Sequence, residues 1–267
     1  MKKLTDPQIV LRPAINQALY QEITALEERC CSYEPLTFKL ELEYKLQHPT
    51  NEPIEQQKIN EFLYYNEQEL IGYLGICDFG GEELEISGMV HPAFRRQGIF
   101  TQLYQLVEAE FKRRAPSELL LVCHKNSDSG KKFVEHLNAT YHHAEYDMQL
   151  DPANFSHELS YRLTFQETEG HLFIGKQEEQ VIGQVRLEQE EVGGIYALEV
   201  VPEFRGQGYG RELLTWAVEK LLAQGAKKIF LQVDTVNANA LGLYQSCGFV
   251  EQDVMMYYSI REGEGRT

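Results

Sequence analysis

The sequence predicts an α/β (α+β) chain built from two copies of one fold, each a mixed, mostly antiparallel sheet with a central parallel pair flanked by helices. Three observations carry this. The chain repeats itself at a long period, each copy runs strand–helix–strand through its middle, and each copy joins a strand to a helix through a loop of the same type. Val90-His91-Pro92-Ala93-Phe94-Arg95-Arg96-Gln97-Gly98-Ile99-Phe100 matches Val200-Val201-Pro202-Glu203-Phe204-Arg205-Gly206-Gln207-Gly208-Tyr209-Gly210. Upstream, Glu69-Leu70-Ile71-Gly72 matches Gln180-Val181-Ile182-Gly183. A period this long means two domains rather than a solenoid.

The second copy is the easier to read. Leu172–Gly175 and Gln180–Leu187 form an antiparallel pair, and Gly194–Val201 is a third strand. Leu213, Leu214, Ala217, Val218, Leu221 and Leu222 then recur at helical spacing, with Gly225 placed to end the helix. Lys228–Val233 is a short strand of the buried type, Asn239–Ser246 a short helix closed by Gly248, and Val254–Ile260 a final strand. Strand, helix, strand in this order requires a parallel pair with a right-handed crossover. The first copy repeats the order with a helix over Gln102–Arg114, a strand over Ser117–Cys123 and a short helix over Gly130–Leu137. It adds a helical lead-in over Pro13–Gln47, where the second copy has only Leu159–Phe165. The polar stretch Asp151–His157 suits a linker, so the expected domains are residues 1–152 and 153–267.

Bulk composition narrows the class. With 43% hydrophobic and 25% charged residues the chain reads as an ordinary globular protein. No apolar run approaches the ~20 residues that cross a bilayer, and the two lysines near the start have no apolar stretch behind them. The five cysteines are odd in number, with one adjacent pair, Cys30-Cys31, and no CxxC. That pattern suggests neither a disulfide framework nor a metal site, and fits buried thiols in a reducing cytoplasm. A formal charge of −16 makes nucleic acid a poor partner. It draws cations, although solubility alone accounts for it.

Gly206, Gly208 and Gly210 follow a strand directly and open a helix. Glycine allows close backbone approach, and the unpaired N–H groups of a helix start face an anion, so a pyrophosphate fits. A P-loop needs Gly-Lys-Ser/Thr after the glycines, and a dinucleotide fingerprint needs GxGxxG. Arg211-Glu212 supplies neither.

The series Val-x-Pro-x-x-Arg-Gly-x-Gly-x-Gly, followed after a helix and a strand by Asn237-x-x-Ala240-x-x-x-Tyr244-x-x-x-Gly248-Phe249, resembles the GNAT superfamily of acyl-CoA N-acyltransferases. The resemblance covers about Leu159–Ile260 well and residues 8–150 more loosely, and a two-copy chain resembles the tandem GNAT proteins. It implies that the amides of Gln207, Gly208, Tyr209 and Gly210 hold the pyrophosphate of acetyl-CoA, with Arg205 and Gly206 completing the loop. Leu198 to Val200 then pair with the pantetheine arm, and Asn237 contacts the cosubstrate. Tyr244 protonates the leaving thiolate. Glu199, on the same strand, is the candidate base. The expected reaction is acetyl transfer to a primary amine, on a small molecule or a peptide, by direct attack. It needs no metal, and a monomer or homodimer suffices. The competing expectation is a non-catalytic CoA-binding or interaction module.

The first copy reads as degenerate. Phe100 stands where the third glycine belongs. With one residue inserted in the alignment, Asn126 matches Asn237 and Phe133 matches Tyr244, leaving no proton donor.

Overall fold

A computed structural model describes residues 2–48, 57–80, 82–151, 155, 161–188 and 192–260. The chain divides into two compact units, Met1–His143 with Met255–Thr267, and Ala144–Val254. These units are not cut where the sequence repeat is cut. The later part of each copy's last strand is counted with the other unit, as set out below. Most of the expected linker lies outside the described residues.

The first unit begins with β1 (Pro7–Arg12), an exposed edge strand that the lead-in did not announce. Helix α1 (Gln17–Tyr33) follows, capped by Asn16, whose side chain accepts from the Leu19 amide. The lead-in is not one helix. Glu34 precedes Pro35, and its extended backbone ends α1, as the residue before proline tends to do. A short α2 (Leu42–Gln47) comes after the break. Strands β2 (Glu61–Asn66), β3 (Glu69–Cys77), β4 (Glu83–Val90) and β5 (Glu118–His124) build the sheet around α3 (Ile99–Arg114). All neighbours are antiparallel except β4 and β5, which run parallel. Helix α4 (Asp128–His136) follows β5. The sheet is completed by Met255–Ile260, which pairs antiparallel with β5.

The second unit repeats the plan. It starts with Ala144–Leu150 of β6 (Thr140–Leu150), then β7 (Thr164–Glu167), β8 (Leu172–Gln177), β9 (Gln180–Glu188) and β10 (Val192–Val200). Helix α5 (Tyr209–Ala223), β11 (Lys228–Asp234) and α6 (Ala238–Ser246) follow, and the chain enters β12 (Phe249–Ile260). Here β10 and β11 are the parallel pair, and β6 lies antiparallel on β11.

The predicted helical stripe is the core of this unit: Leu213, Leu214, Ala217, Val218 and Leu221 are fully buried. The matched glycines of the repeat are explained by close approach. A Cβ on Gly183 would stand 2.8 Å from Leu213 Cδ1, and one on Gly72 would stand 2.7 Å from Ile99 Cγ2. Any side chain there would push the central helix off the sheet.

Among the described residues no helix is long and apolar enough to cross a membrane. All five cysteines are free.

Candidate functional site

Each unit opens a cleft where its parallel strands part. In the second, β10 and β11 pair over Val192–Ile195 against Lys228–Leu231, and both strands continue without pairing further. In the first, β4 and β5 pair only over Glu83–Ile86 against Glu118–Leu121. Backbone groups beyond the last pair face the gap rather than a neighbouring strand, which makes them available to a ligand.

The loop at the mouth of the cleft has one backbone shape in both units. Gly206 and Gly208 are left-handed, with φ of 74° and 88°, and so are Arg96 and Gly98, with φ of 63° and 77°. Gly208 and Gly98 are the N-caps of α5 and α3, and neither helix start has a side-chain cap. The first amides of both helices therefore keep their donors for a ligand. The arginine of each loop braces the strand end: Arg205 Nε donates to the Val200 carbonyl at 2.9 Å, and Arg95 Nε to the Val90 carbonyl at 3.1 Å. Gln207 folds its side chain onto the Glu203 carbonyl at 3.1 Å, so its backbone rather than its amide group serves the loop.

The two clefts differ in three places. The first is backbone. In β10, Tyr196 pairs with Arg186 and Glu199 with Gln184, so two residues, Ala197 and Leu198, oppose one. Ala197 takes a left-handed φ of 47°. This is a β-bulge, a one-residue insertion that turns the following strand. β4 pairs in unbroken register from Cys77–Glu85 to Gly72–Val90 and has no bulge.

The second difference is Tyr244. It is buried on α6, and its phenol makes no hydrogen bond to the described residues. Burial raises its pKa above the ordinary tyrosine value, so the group stays protonated at neutral pH. The helix ends correct the alignment of the copies. β5 and β11, and then α4 and α6, stand at one constant offset without any insertion, so Ser127 is the counterpart of Asn237 and Val134 that of Tyr244. Asn126 and Phe133 are not the matching residues; Phe133 answers to Leu243. The first unit still lacks a donor, because valine has none.

The third difference is the last loop position. A Cβ on Gly210 would meet Leu243 Cδ2 at 3.3 Å and Val200 Cγ2 at 3.7 Å, so a side chain there points into the cleft between strand end and short helix. Phe100 occupies that direction in the first unit, and its ring meets Phe133 edge-on at 4.7 Å.

The remaining expected site residues fall around the second cleft. Leu198 and Val200 are half-buried and pack on the core. Asn237 caps α6, its Oδ1 accepting from the Ala240 amide at 3.1 Å, while its NH2 group donates to none of the described residues. Glu199 is 60% exposed and its carboxylate lies 3.7 Å from Arg205 Nη2. The Cys247 thiol is buried, and burial raises its pKa, so it is no nucleophile.

One residue the sequence did not single out is Arg162. Its guanidinium stands over the Tyr209 ring at 4.1 Å and donates to the Gln207 carbonyl at 3.2 Å. Buried Glu212 in the first turn of α5 orients it through Nε at 3.1 Å, and also accepts the amides of Arg162 and Leu163 at 2.5 and 2.6 Å. Arg162 thus places a cation beside the anion loop and offsets the carboxylate behind it. No motif marks it, since it lies far from the loop in sequence.

A cavity of about 520 Å³ lies in the first unit. The bulge at Ala197, the Tyr244 phenol and the open position at Gly210 belong to the other unit.

Residues 21–139 and 130–249 each match the model of the family described as "Acetyltransferase (GNAT) family". Over 67 residues, 25% of the chain, it is 37% identical to a mycothiol acetyltransferase of Paenarthrobacter aurescens. Over 68 residues it is 35% identical to one of Renibacterium salmoninarum. These matches span about a fifth of the length of the curated relatives, 21% and 20%. In fold it resembles a GCN5-related N-acetyltransferase from Sphaerobacter thermophilus, with TM-score 0.74 and 18% identity, covering 98% of both chains. It equally resembles a tandem GNAT protein from the clavulanic acid biosynthesis pathway, with TM-score 0.74 and 11% identity, covering 98% of this chain and 100% of that one.

Proposed function

Since the chain belongs to the GNAT acetyltransferase family, we propose that its second unit transfers an acetyl group from acetyl-CoA to a primary amine by direct attack of the amine on the thioester. Two observations support this assignment: the bulge at Ala197 in the strand that borders the cleft, and a phenol on α6, Tyr244, that makes no hydrogen bond to the described residues. Both are missing at the matching places of the first unit.

The residues suit the reaction in turn. The helix-start amides of Gln207 to Gly210 receive the pyrophosphate, with Arg162 adding charge. Past Ile195 the β11-facing backbone donors of β10 have no strand partner, the bulge re-aims them, and one such N–H stabilises the oxyanion as the amine nitrogen bonds to the carbonyl carbon. The amine must be neutral to attack, and its proton leaves to Glu199 or to water. When the carbon–sulfur bond breaks, Tyr244 donates its proton to the sulfur. Burial holds that proton on Tyr244 throughout the neutral range. Asn237 completes the mouth with its free NH2 group. The reading needs no metal, and the acceptor is a small molecule or a peptide with a primary amine.

A thiol-release assay with acetyl-CoA and a panel of amines tests the reading. Wild type should release CoA thiol with at least one amine, and Tyr244→Phe should lower kcat by about 10²-fold or more while leaving CoA affinity within about twofold. Gly208→Glu should abolish CoA binding by placing a carboxylate in the amide nest. Binding of acetyl-CoA without thiol release to any amine would leave a non-catalytic CoA-binding module instead.

A further inference from the structure

Glu212 is a buried carboxylate that the transfer reaction does not use. It sits in the first turn of α5, just past the loop proposed to take the pyrophosphate. By charge alone it is a poor choice there, because it repels an anion at the same helix start. Its bonds give another reason for its presence. Oε1 accepts the Arg162 and Leu163 amides at 2.5 and 2.6 Å, and Oε2 accepts from Arg162 Nε at 3.1 Å. One carboxylate thus fixes both the backbone and the guanidinium of Arg162.

The guanidinium passes that order to the loop. Arg162 Nη2 donates to the Gln207 carbonyl at 3.2 Å, and a Cβ on Gly208 would stand 3.5 Å from the same nitrogen. The Tyr209 ring backs the guanidinium at 4.1 Å. The Gln207–Gly208 peptide is trans, and a trans peptide is planar with its C=O and N–H opposed. Holding the Gln207 carbonyl toward Arg162 therefore turns the Gly208 N–H the other way. That N–H meets no acceptor among the described residues. The first unit has the same loop backbone without this brace. Among the described residues no side chain donates to the Gln97 carbonyl, and Gln102, at the place of Glu212, turns its amide onto the Gly98 carbonyl at 3.4 Å.

We infer that Glu212 is a positioning residue for the cosubstrate: through Arg162 it locks the Gln207–Gly208 peptide with the Gly208 N–H aimed at the pyrophosphate. The inference rests on the reading that this loop binds CoA. Pre-aiming matters because left-handed glycines at 206 and 208 leave this stretch free to turn. A peptide fixed before binding loses no freedom when the anion arrives. Position and charge predict opposite signs for one substitution. In Glu212→Gln the remaining oxygen still takes the two amides, but an NH2 group faces Arg162 Nε, donor against donor, and the guanidinium is released. A role through charge alone makes this variant bind CoA more tightly, since a negative charge leaves the anion site. A role through position makes it bind more weakly.

Isothermal titration of CoA into the full chain needs no acceptor amine, so failure of this inference is separable from failure of acetyl transfer. CoA affinity should fall about tenfold or more in Glu212→Gln and in Arg162→Lys, which keeps the charge but loses the planar fork that joins Glu212 to Gln207. Urea midpoints beside the titrations check that both variants fold. Arg162 is half-exposed, so Arg162→Lys decides the matter should Glu212→Gln fail to fold. In thiol release the loss should appear in KM for acetyl-CoA, with kcat within about twofold of wild type. Unchanged or tighter CoA binding in folded Glu212→Gln, or wild-type affinity in Arg162→Lys, overturns the inference. A wild-type chain that binds no CoA overturns it together with the loop assignment.

Discussion

At the scale of single residues, burial and charge decide what each group does. Tyr244 and Glu27 show the same sign of shift with opposite consequences. Burial keeps the Tyr244 phenol protonated, which preserves it as a donor. Burial, reinforced by Glu43 and Glu28, raises the Glu27 carboxyl to about 7, which makes its charged form a burden near neutral pH. Between the unfolded value near 4.5 and about 7 the folded chain holds the proton more tightly than the unfolded chain. Its stability contribution is therefore complete below about 4.5 and is lost as pH rises through about 7. Glu27→Gln should raise the urea midpoint at pH 8 by the equivalent of roughly 1 kcal/mol, after discounting for the solvent that reaches this half-buried group, and change it little at pH 4. An equal gain at both pH values would point to packing rather than charge. The loop residues were legible because glycine and arginine at fixed spacing state a backbone requirement directly. Arg162 was not, since its role depends on a fold that brings the β7 lead-in against α5.

At the scale of elements, the central helices and parallel pairs could be read because buried stripes repeat at fixed period. Leu213 is fully buried and fills the space a Cβ would need at Gly175 of β8 and Gly183 of β9, so Leu213→Ala should cost about 2–5 kcal/mol in equilibrium unfolding. The bulge in β10 is the element the sequence concealed. Left-handed backbone is usually announced by glycine or asparagine, and here it falls on alanine. It shows only when the copies are counted together: Ile86 to Val90 spans the same ladder in β4 that Ile195 to Val200 spans in β10 with one residue more. Deleting Ala197 should restore the regular register of β4. The prediction is a folded chain that binds CoA at its loop but loses about 10²-fold or more in kcat, measured by thiol release beside isothermal titration with CoA. Retained turnover would detach the bulge from the chemistry.

At the scale of the whole chain, the sequence copies and the compact units are different objects. A repeat reports which segments share ancestry of pattern, whereas a unit is defined by which strands hydrogen-bond. Nothing in the alternation of β6 or β12 states which sheet each will join, so this exchange lay beyond the sequence. Residues 145–149 pair with 230–234, and Met148 and Leu150 are almost fully buried in the core beside Leu231 and Val233. A fragment cut at 153–267 loses that strand. The two side chains alone contribute about 1.5–3 kcal/mol each, against the roughly 5–15 kcal/mol that stabilises a domain. The cut also exposes β11 as an unpaired edge open to aggregation. The fragment 144–254 keeps Ala144–Leu150 of β6 and, of the described strands of its copy, gives up only Met255–Ile260 of β12, which pair with β5 of the first unit. Urea unfolding followed by circular dichroism should therefore show a cooperative transition for 144–254 and none for 153–267. A cooperative, equally stable 153–267 would mean that β6 is dispensable, and that the compact unit follows the sequence repeat after all.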